Sequence, residues 1–499
     1  MKMKRKNFEG LLLCLMTMAL TSCQDDFLEE NPVSNLSTQT FFETEDDFRQ
    51  AANSVYNNLH TLSGVGDGGL GVGGYWAMSE MRSDNTTFQY NPVDISGRVL
   101  WNLDNFLMLT TNPIVEAFWN ASYQGIGKAN IVIVESEEVD YSNKAQIVAE
   151  AKFLRALYYS YLVRYFGNVP LVLEPTTSYE DAFANNVQVD KEQVYDLIIS
   201  DLNEAKNNLP VSYSSAEQGK ATSGAARTLL AKVLMELEQY DEAATELETV
   251  MSTGEYMLLD NYAQVFDINN ENNREIVFSV QYIEGTYGLS SNYMYKFSPW
   301  SVEPDFLGHG QEIARTGMNL PTTDLIDSFE EGDERKSLIN LSYTHDETGY
   351  YQGNIVPFHK KFWHEGHDIQ YQTGANFPLF RYPHVLLMLA ECYQQSGAGD
   401  AASLVNQVRQ RAGLPAKPNV SIDDIIDERR FEFYGEADRW DVLVRTGRVY
   451  DVMEAHGVAE RQRPTSQVNS EAYTNIKILY PIPAAAIQTD PSLVQNPEY

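Results

Sequence analysis

Two pairs of alanines, twelve residues apart within each pair, constrain the fold of this chain more than any other feature. Ala231 and Ala243 stand in successive helical patterns separated by Tyr240-Asp241-Glu242, and Ala390 and Ala402 repeat the spacing. A small side chain on each member of an antiparallel helix pair lets the backbones approach, which is the mechanism behind tetratricopeptide repeats. The repeats are degenerate, and a long segment interrupts their period of about 34 residues. The expectation is therefore helical hairpins rather than a uniform solenoid.

Periodicity elsewhere points the same way. In Ala151 to Gly167, Leu154, Leu157, Tyr158, Tyr161, Leu162 and Tyr165 recur at 0, 3, 4, 7, 8 and 11, one stripe of a helix, and Gly167-Asn168-Val169-Pro170 stops it. Helical patterning starts near Glu43, with an amphipathic stretch over Asp47 to Leu59. Comparable patterns cover Asn112 to Glu138, Lys191 to Asn208, Ser223 to Leu237, Asp241 to Met251, Leu379 to Ser396, Ala401 to Ala412 and Ile422 to Val444. Strand-like runs are short, Glu275 to Ile283 being the best of them. The segment that interrupts the repeats, roughly Glu271 to Tyr382, holds 19 aromatics in 112 residues against 12% for the whole chain. It reads as a loop-rich, aromatic-rich insert, and loops on a rigid frame are where binding residues concentrate.

The first 23 residues bear on compartment. Lys2, Lys4, Arg5 and Lys6 precede ten uncharged residues, Leu11 to Leu20, in the shape of a secretory signal. That run is about half of the roughly 20 apolar residues that a spanning helix needs. Leu20-Thr21-Ser22-Cys23 resembles a bacterial lipobox, in which a lipoprotein signal peptidase cuts before a cysteine that is then acylated; a chance cysteine behind an ordinary signal is the alternative. Several acyl chains on Cys23 would anchor the chain to a membrane stably, where one would not. Cys14 leaves with the signal, Cys23 is lipidated, and Cys392 remains alone in an apolar helical stretch, so no intrachain disulfide is expected. Removing residues 1–22 leaves 32 basic and 69 acidic side chains from the 36 and 70 of the full chain. Nucleic acid is a poor partner for such a surface, since backbone binding relies on Lys and Arg displacing counterions. The acidic residues after Cys23 read either as a surface-export signal or as a solvated tether.

Enzyme motifs are sparse. Gly64-Val65-Gly66-Asp67-Gly68-Gly69 satisfies GxGxxG, but it follows a helix rather than a strand and carries an Asp where a phosphate would lie, so a surface loop is expected. His359, His364 and His367 cluster in HKKFWHEGH, one residue off the HExxH spacing that places two His on one helix face; an incidental loop cluster is expected. No GxSxG, CxxC pair, P-loop or EF-hand loop is present. What stands out is aromatics beside polar groups in expected loops: Trp76, Asp84, Asn85, Phe88, Tyr90, Arg98 and Trp101, then Tyr293, Tyr295 and Trp300, then Trp363. Such surfaces suit sugars, because a pyranose lays its axial C–H face on an aromatic ring while amides, carboxylates and guanidinium fix the hydroxyls.

Over nearly all of the expected mature chain these residues resemble the SusD/RagB family of Bacteroidetes outer-membrane lipoproteins. The resemblance rests on the lipobox cysteine with Pro32 after it, AKFLRALYYSYLVRYFGNVPL (Ala151 to Leu171), YDLIISDLNEAKNNLP (Tyr195 to Pro210) and TSGAARTLLAKVLM (Thr222 to Met235). Asn272-Asn273-Arg274-Glu275-Ile276, VNQVRQRAGLP (Val405 to Pro415), DERRFEFYGEADRW (Asp427 to Trp440) and the closing Pro481-Ile482-Pro483 and Gln495 to Tyr499 complete it; Glu498 replaces the usual Gly before the last Tyr. The resemblance implies an all-α, SusD-like body of tetratricopeptide-like helix pairs. It implies glycan capture at the cell surface as the lid of a SusC-like TonB-dependent transporter, without catalysis and without a cofactor. Some relatives hold a structural calcium near the equivalents of Asp438 and Trp440, and no motif here establishes one. Family ligand residues do not transfer by motif. The chain then divides into a signal peptide (1–22), a lipidated tether (23–42), an N-terminal helical-repeat region (43–270), the insert with the expected ligand face (271–378) and a C-terminal helical region (379–499) of the same body. Within that last region, Asp427 to Trp440 is expected to be a helix carrying internal ion pairs, capped by Ser421 with Asp424. Peptide or glycopeptide binding, a purely structural role at the transporter, and an all-α glycosidase are the alternatives.

Overall fold

The computed structural model describes residues 42–64, 74–89, 97–176, 187–286, 288–299, 317–342, 355–463 and 468–499. The signal peptide, Cys23 and nearly all of the tether lie outside the described residues, as do Tyr90 and Trp300. No described helix is long and apolar enough to cross a membrane.

The fold is all-α. Its N-terminal half runs through α1 (Glu45–Leu62), α2 (Tyr75–Ser79), α3 (Arg98–Asp104), α4 (Pro113–Glu138), α5 (Lys144–Phe166), α6 (Lys191–Asn208), α7 (Ser223–Glu236) and α8 (Tyr240–Ser252). Among its described residues the insert carries the short α9 (Tyr293–Lys296) and α10 (Thr323–Ser328) besides 3-10 turns. The chain closes with α11 (Tyr382–Ser396), α12 (Ala401–Arg411), α13 (Ile422–Phe433), α14 (Arg439–Arg445), α15 (Val449–Gln462) and α16 (Ala484–Thr489). Local signals fix many of the ends. Asn112 accepts the Ile114 N–H at 2.9 Å with Pro113 at the first helical position, and Thr222 accepts the Ala225 N–H at 3.0 Å.

Helix packing follows chain order from α4 to α8, each helix lying against the next, and α11 then packs directly on α8. The insert therefore loops out between two helices that stack as if it were absent, which is why the repeat period looks broken in sequence and not in space. Ala231, Ala243 and Ala390 are fully buried, as the close-approach argument requires. Ala402 is only half-buried; its neighbour Ala401 is the residue turned inward.

Three expectations are corrected. The stripe on α5 is not a stripe, because 17 of its 23 residues are buried: α1, α4 and α6 all pack on it. The pattern beginning at Leu379 is not helical at its start. Leu379 to Arg381 belong to a strand, and α11 begins with Pro383 in its first turn, where a missing N–H is harmless. The continuous helix expected through Val444 is broken between α13 and α14, where Gly435 at φ +79° and Ala437 at φ +68° reverse the chain.

Among the described residues, strands are two to five residues long and form four antiparallel pairs: β1 (Thr86–Thr87) with β5 (Leu320–Pro321), β2 (Val169–Pro170) with β3 (Gln188–Val189), β4 (Ile276–Val280) with β8 (Phe377–Arg381), and β6 (Ile339–Asn340) with β7 (Phe358–His359). The β4–β8 pair closes the neck of the insert, with Ile276 opposite Arg381 and Phe278 opposite Phe380.

Beneath that neck lies a buried ionic network. Arg381 on β8, fully buried, binds Glu275 at 2.6 Å, Glu432 at 2.8 Å and Glu436 at 2.7 Å. Arg335 binds Asp333 and Glu428, each at 2.7 Å, and Arg411 binds Glu275 at 2.9 Å and also Glu432. The charged face of Asp427 to Trp440 thus pairs mostly across the molecule, and not within its own helix as expected; the Ser421–Asp424 capping box does form. Burying so many charges is tolerable only because each is paired several times.

Candidate functional site

The residues singled out for sugar binding separate into buried and partly open groups. Trp76 on α2 is fully buried, its Nε1–H donating to the Ser63 carbonyl at 3.0 Å and its ring meeting Phe297 edge-on at 5.0 Å. Phe88 belongs to the main core. Asp84 accepts from both arms of Arg439 at 2.8 and 2.9 Å and pairs with Arg430 at 2.9 Å. Burial alone would raise its pKa, but the two guanidinium groups hold it well below the usual carboxylate range. Asn85 donates to Glu80 and accepts from Arg430, each at 2.9 Å. This segment is a strut between α2 and α13–α14, and its polar groups are consumed in holding the frame.

Tyr293 and Tyr295 are likewise fully buried. The Tyr293 hydroxyl lies 2.9 Å from that of Tyr282, and the Tyr295 hydroxyl bonds His367 Nε2. A ring closed in on this scale offers no face to a sugar, so these two residues, with Trp76, Asp84, Asn85 and Phe88, support the site and do not line it.

Arg98 on α3 is exposed, and Trp101 one turn later is half-buried against the core. Trp363 is the other partly open indole. How the sequence aims it is clear from its neighbours. Phe358 sits in β7; Lys361 and Phe362 turn inward, Phe362 stacking on Phe377 at 4.8 Å and 8°. Lys361 Nζ binds Glu436 at 2.6 Å and sits 3.8 Å from the centroid of the Tyr434 ring. Burial lowers its pKa to about 8 while Glu436 pulls the other way. With those two side chains anchored below, Trp363 stays half-buried, packing against the cluster of Met294 and Tyr295 and against that of Leu320, Val356 and Phe358.

Around Trp363 the loops of the insert are tied together. Ser291 and Thr373 exchange backbone bonds at 2.7 and 2.9 Å, and the Gly285 N–H donates to the Gln372 carbonyl at 3.1 Å. Tyr371, half-buried and at φ +63°, tilts over Tyr295 at 4.6 Å. Glu365 Oε1 accepts from Trp363 Nε1 at 3.1 Å, and Glu284 Oε1 accepts the Asp368 N–H at 3.1 Å. The result is two partly exposed rings, Trp363 and Tyr371, on a braced loop cluster that also carries Glu284, Glu365, Asp368 and the half-buried Gln372. Tyr371 and the three carboxylates were not among the sequence candidates. The available signal was the HKKFWHEGH run, whose histidines serve the cluster's structure.

Those histidines form no metal site. His359 is buried between Phe297 and Tyr434, and burial, with the nearby Lys361 charge, drops its pKa to about 3. His367 Nδ1 bonds the His364 carbonyl at 2.7 Å, and His364 lies 3.4 Å from Glu284. Among the described residues no group of three or more His, Cys, Asp or Glu could hold a metal. Asp438, the position suggested for calcium, has Arg429 on both oxygens at 2.7 and 3.1 Å, which does not fit a cation.

Comparison with known proteins bears on both halves of the frame. Residues 26–235 match a family model described as starch-binding associating with outer membrane, and residues 329–499 match the SusD family model. The SusD-like protein P25 of Formosa agariphila is 28% identical, with 95% of each chain covered. The starch-binding protein SusD of Bacteroides thetaiotaomicron is 24% identical over 75% of this chain and 76% of its own. Among solved structures, a laminarin-binding SusD-like protein superposes with a TM-score of 0.78 at 27% identity, covering 92% of this chain and all of that one. With both ends of the chain matched by models of one family and the fold shared along nearly its whole length, the chain belongs to the SusD family.

Proposed function

We propose that this protein is a non-catalytic glycan-binding lipoprotein that captures oligosaccharide or polysaccharide on the loop face around Trp363. The observation that carries the reading is that two partly exposed rings, Trp363 and Tyr371, both pack on Tyr295 in a loop cluster that also holds carboxylates and an amide, the combination that seats a pyranose face and orients its hydroxyls. Relatives named for binding laminarin and starch support the ligand class. Trp101 and Arg98 on α3, together with Trp300, are proposed as further contacts.

In this reading Cys23 carries the lipid anchor to the outer membrane, the body faces the cell exterior, and a SusC-like TonB-dependent transporter is the partner for which the protein acts as lid. Broad stacking binds single chains weakly, at about 1 µM to 1 mM, and gains from polymer repeats.

The test is calorimetric titration of the full chain in detergent against plant, microbial and host polysaccharides, with each mixture assayed for new reducing ends. Binding without cleavage is expected. Cleavage would overturn the non-catalytic reading in favour of an all-α glycosidase, and absence of binding across the panel would leave peptide capture or a structural transporter role.

A further inference from the structure

We infer that the Trp363 face selects uncharged glycan chains and rejects polyanionic ones. The inference rests on the glycan reading above and adds the substrate class. Three carboxylates belong to the loop cluster that carries the indole. Glu365 and Asp368 are exposed, Glu365 bonding the indole N–H itself, and Glu284 is 36% exposed with one oxygen on the Asp368 N–H. Against them, among the described residues of this cluster, stands the ammonium of Lys360, whose Nζ lies 5.6 Å from the Trp363 ring centroid. His364, 9% exposed, is already beside Glu284.

Other described cations of this region are engaged elsewhere. Lys361 is buried against Glu436, and Lys296 is buried with its ammonium on the Gly64 carbonyl. Arg335 and Arg381 are enclosed in the ionic network, and Arg274 donates to the carbonyls of Gly254 and Glu255. Recognition of a carboxylate or sulfate ester calls for an arginine fork or an array of backbone N–H groups, and the edge of this platform presents acceptors instead. Acceptors suit hydroxyl donors. An anionic substituent on a sugar stacked at Trp363 would lie within about one screening length, roughly 8 Å at physiological salt, of the Glu365 carboxylate on the indole N–H.

Matched probes test this: neutral polysaccharides, laminarin and starch among them, and the carboxymethylated derivative of each on the same backbone, titrated into the full chain at low and high salt. Carboxymethylation is expected to weaken binding about tenfold or more at low salt, with the gap narrowing as salt rises. The Glu284→Gln/Asp368→Asn double variant is expected to narrow the low-salt gap about threefold or more without shifting the melting temperature. Equal or tighter binding of the carboxymethylated chains overturns the inference. So does a gap that responds to neither salt nor the double variant. Failure of every neutral and anionic chain to bind would instead overturn the glycan reading itself.

Discussion

The Trp76 indole is enclosed, with its N–H satisfied by a backbone carbonyl, whereas Trp363 bridges two small apolar clusters with part of its ring open to solvent. Truncation should separate the two roles. Trp76→Ala is expected to destabilise the protein by about 3–5 kcal/mol through the cavity it leaves. Trp363→Ala should lower glycan affinity with a far smaller change in melting temperature, and equal losses of affinity and stability would mark Trp363 as core. Asp104 offers a second residue-scale test. Burial, aided by the nearby Glu460 charge, raises its pKa to about 7, although the Thr87 hydroxyl and the Phe88 N–H donate to it. An acid whose folded pKa lies above its unfolded value of 3.8 is least costly when protonated, so its penalty appears as pH rises from about 4 through 7. Asp104→Asn should therefore raise stability by roughly 1–3 kcal/mol at pH 8 and by almost nothing at pH 4. A melting-temperature gap between variant and parent that fails to shrink on acidification would refute this account.

At the scale of elements, the close approach of α7 to α8 rests on alanines, and overpacking tests it. Ala231→Leu should cost about 1–3 kcal/mol, whereas Ala402→Leu, at a half-buried position, should stay within about 0.5 kcal/mol; equal effects would mean that the small residues do not set the helix spacing. Helices of the frame were legible in the sequence because their apolar spacing and their caps agree. α6 spans the predicted Lys191 to Asn208, and α4, α7, α8, α11 and α12 start and stop within three residues of expectation, whereas α5 begins seven residues early and α13 stops well short of Val444. The breaks that were missed depend on long-range partners. Glu80, buried, accepts the N–H groups of Gly435 and Ala437 at 2.8 and 3.0 Å, and nothing near Ala437 in the chain announces that a carboxylate some 350 residues away holds its backbone left-handed. The site was half legible for the same reason. Composition marked the insert as aromatic and Trp363 as a candidate, but which rings face inward is decided by the β4–β8 neck and by Lys361 reaching Glu436, and neither is visible from spacing.

For the whole molecule, the ionic network decides whether frame and insert are one cooperative body. Asp333 and Arg335 lie within the insert, Arg381 lies at its exit, and all are fully or nearly fully buried against α13 and the loop after it, where Glu428, Glu432 and Glu436 receive the two arginines. Insert and frame cannot separate without stranding charges in a low-dielectric interior, which costs about 3–5 kcal/mol for a single broken pair. A single calorimetric unfolding transition is therefore expected near pH 7, and two resolved transitions would mean that residues 271–378 fold as a unit of their own. Acid should undo this coupling. Burial works against the Glu432 carboxylate, but Arg411, Arg381 and Arg335 hold its pKa well below the usual range. A carboxylate depressed in this way contributes its full stabilisation above its unfolded pKa of about 4.3 and loses it progressively as pH falls below that value. Replacing Glu432 by Gln should therefore lower the melting temperature at pH 7, and the difference from the parent should shrink as the pH drops below about 4. A difference that persists undiminished in acid would show that Glu432 holds the frame through packing, with its charge incidental.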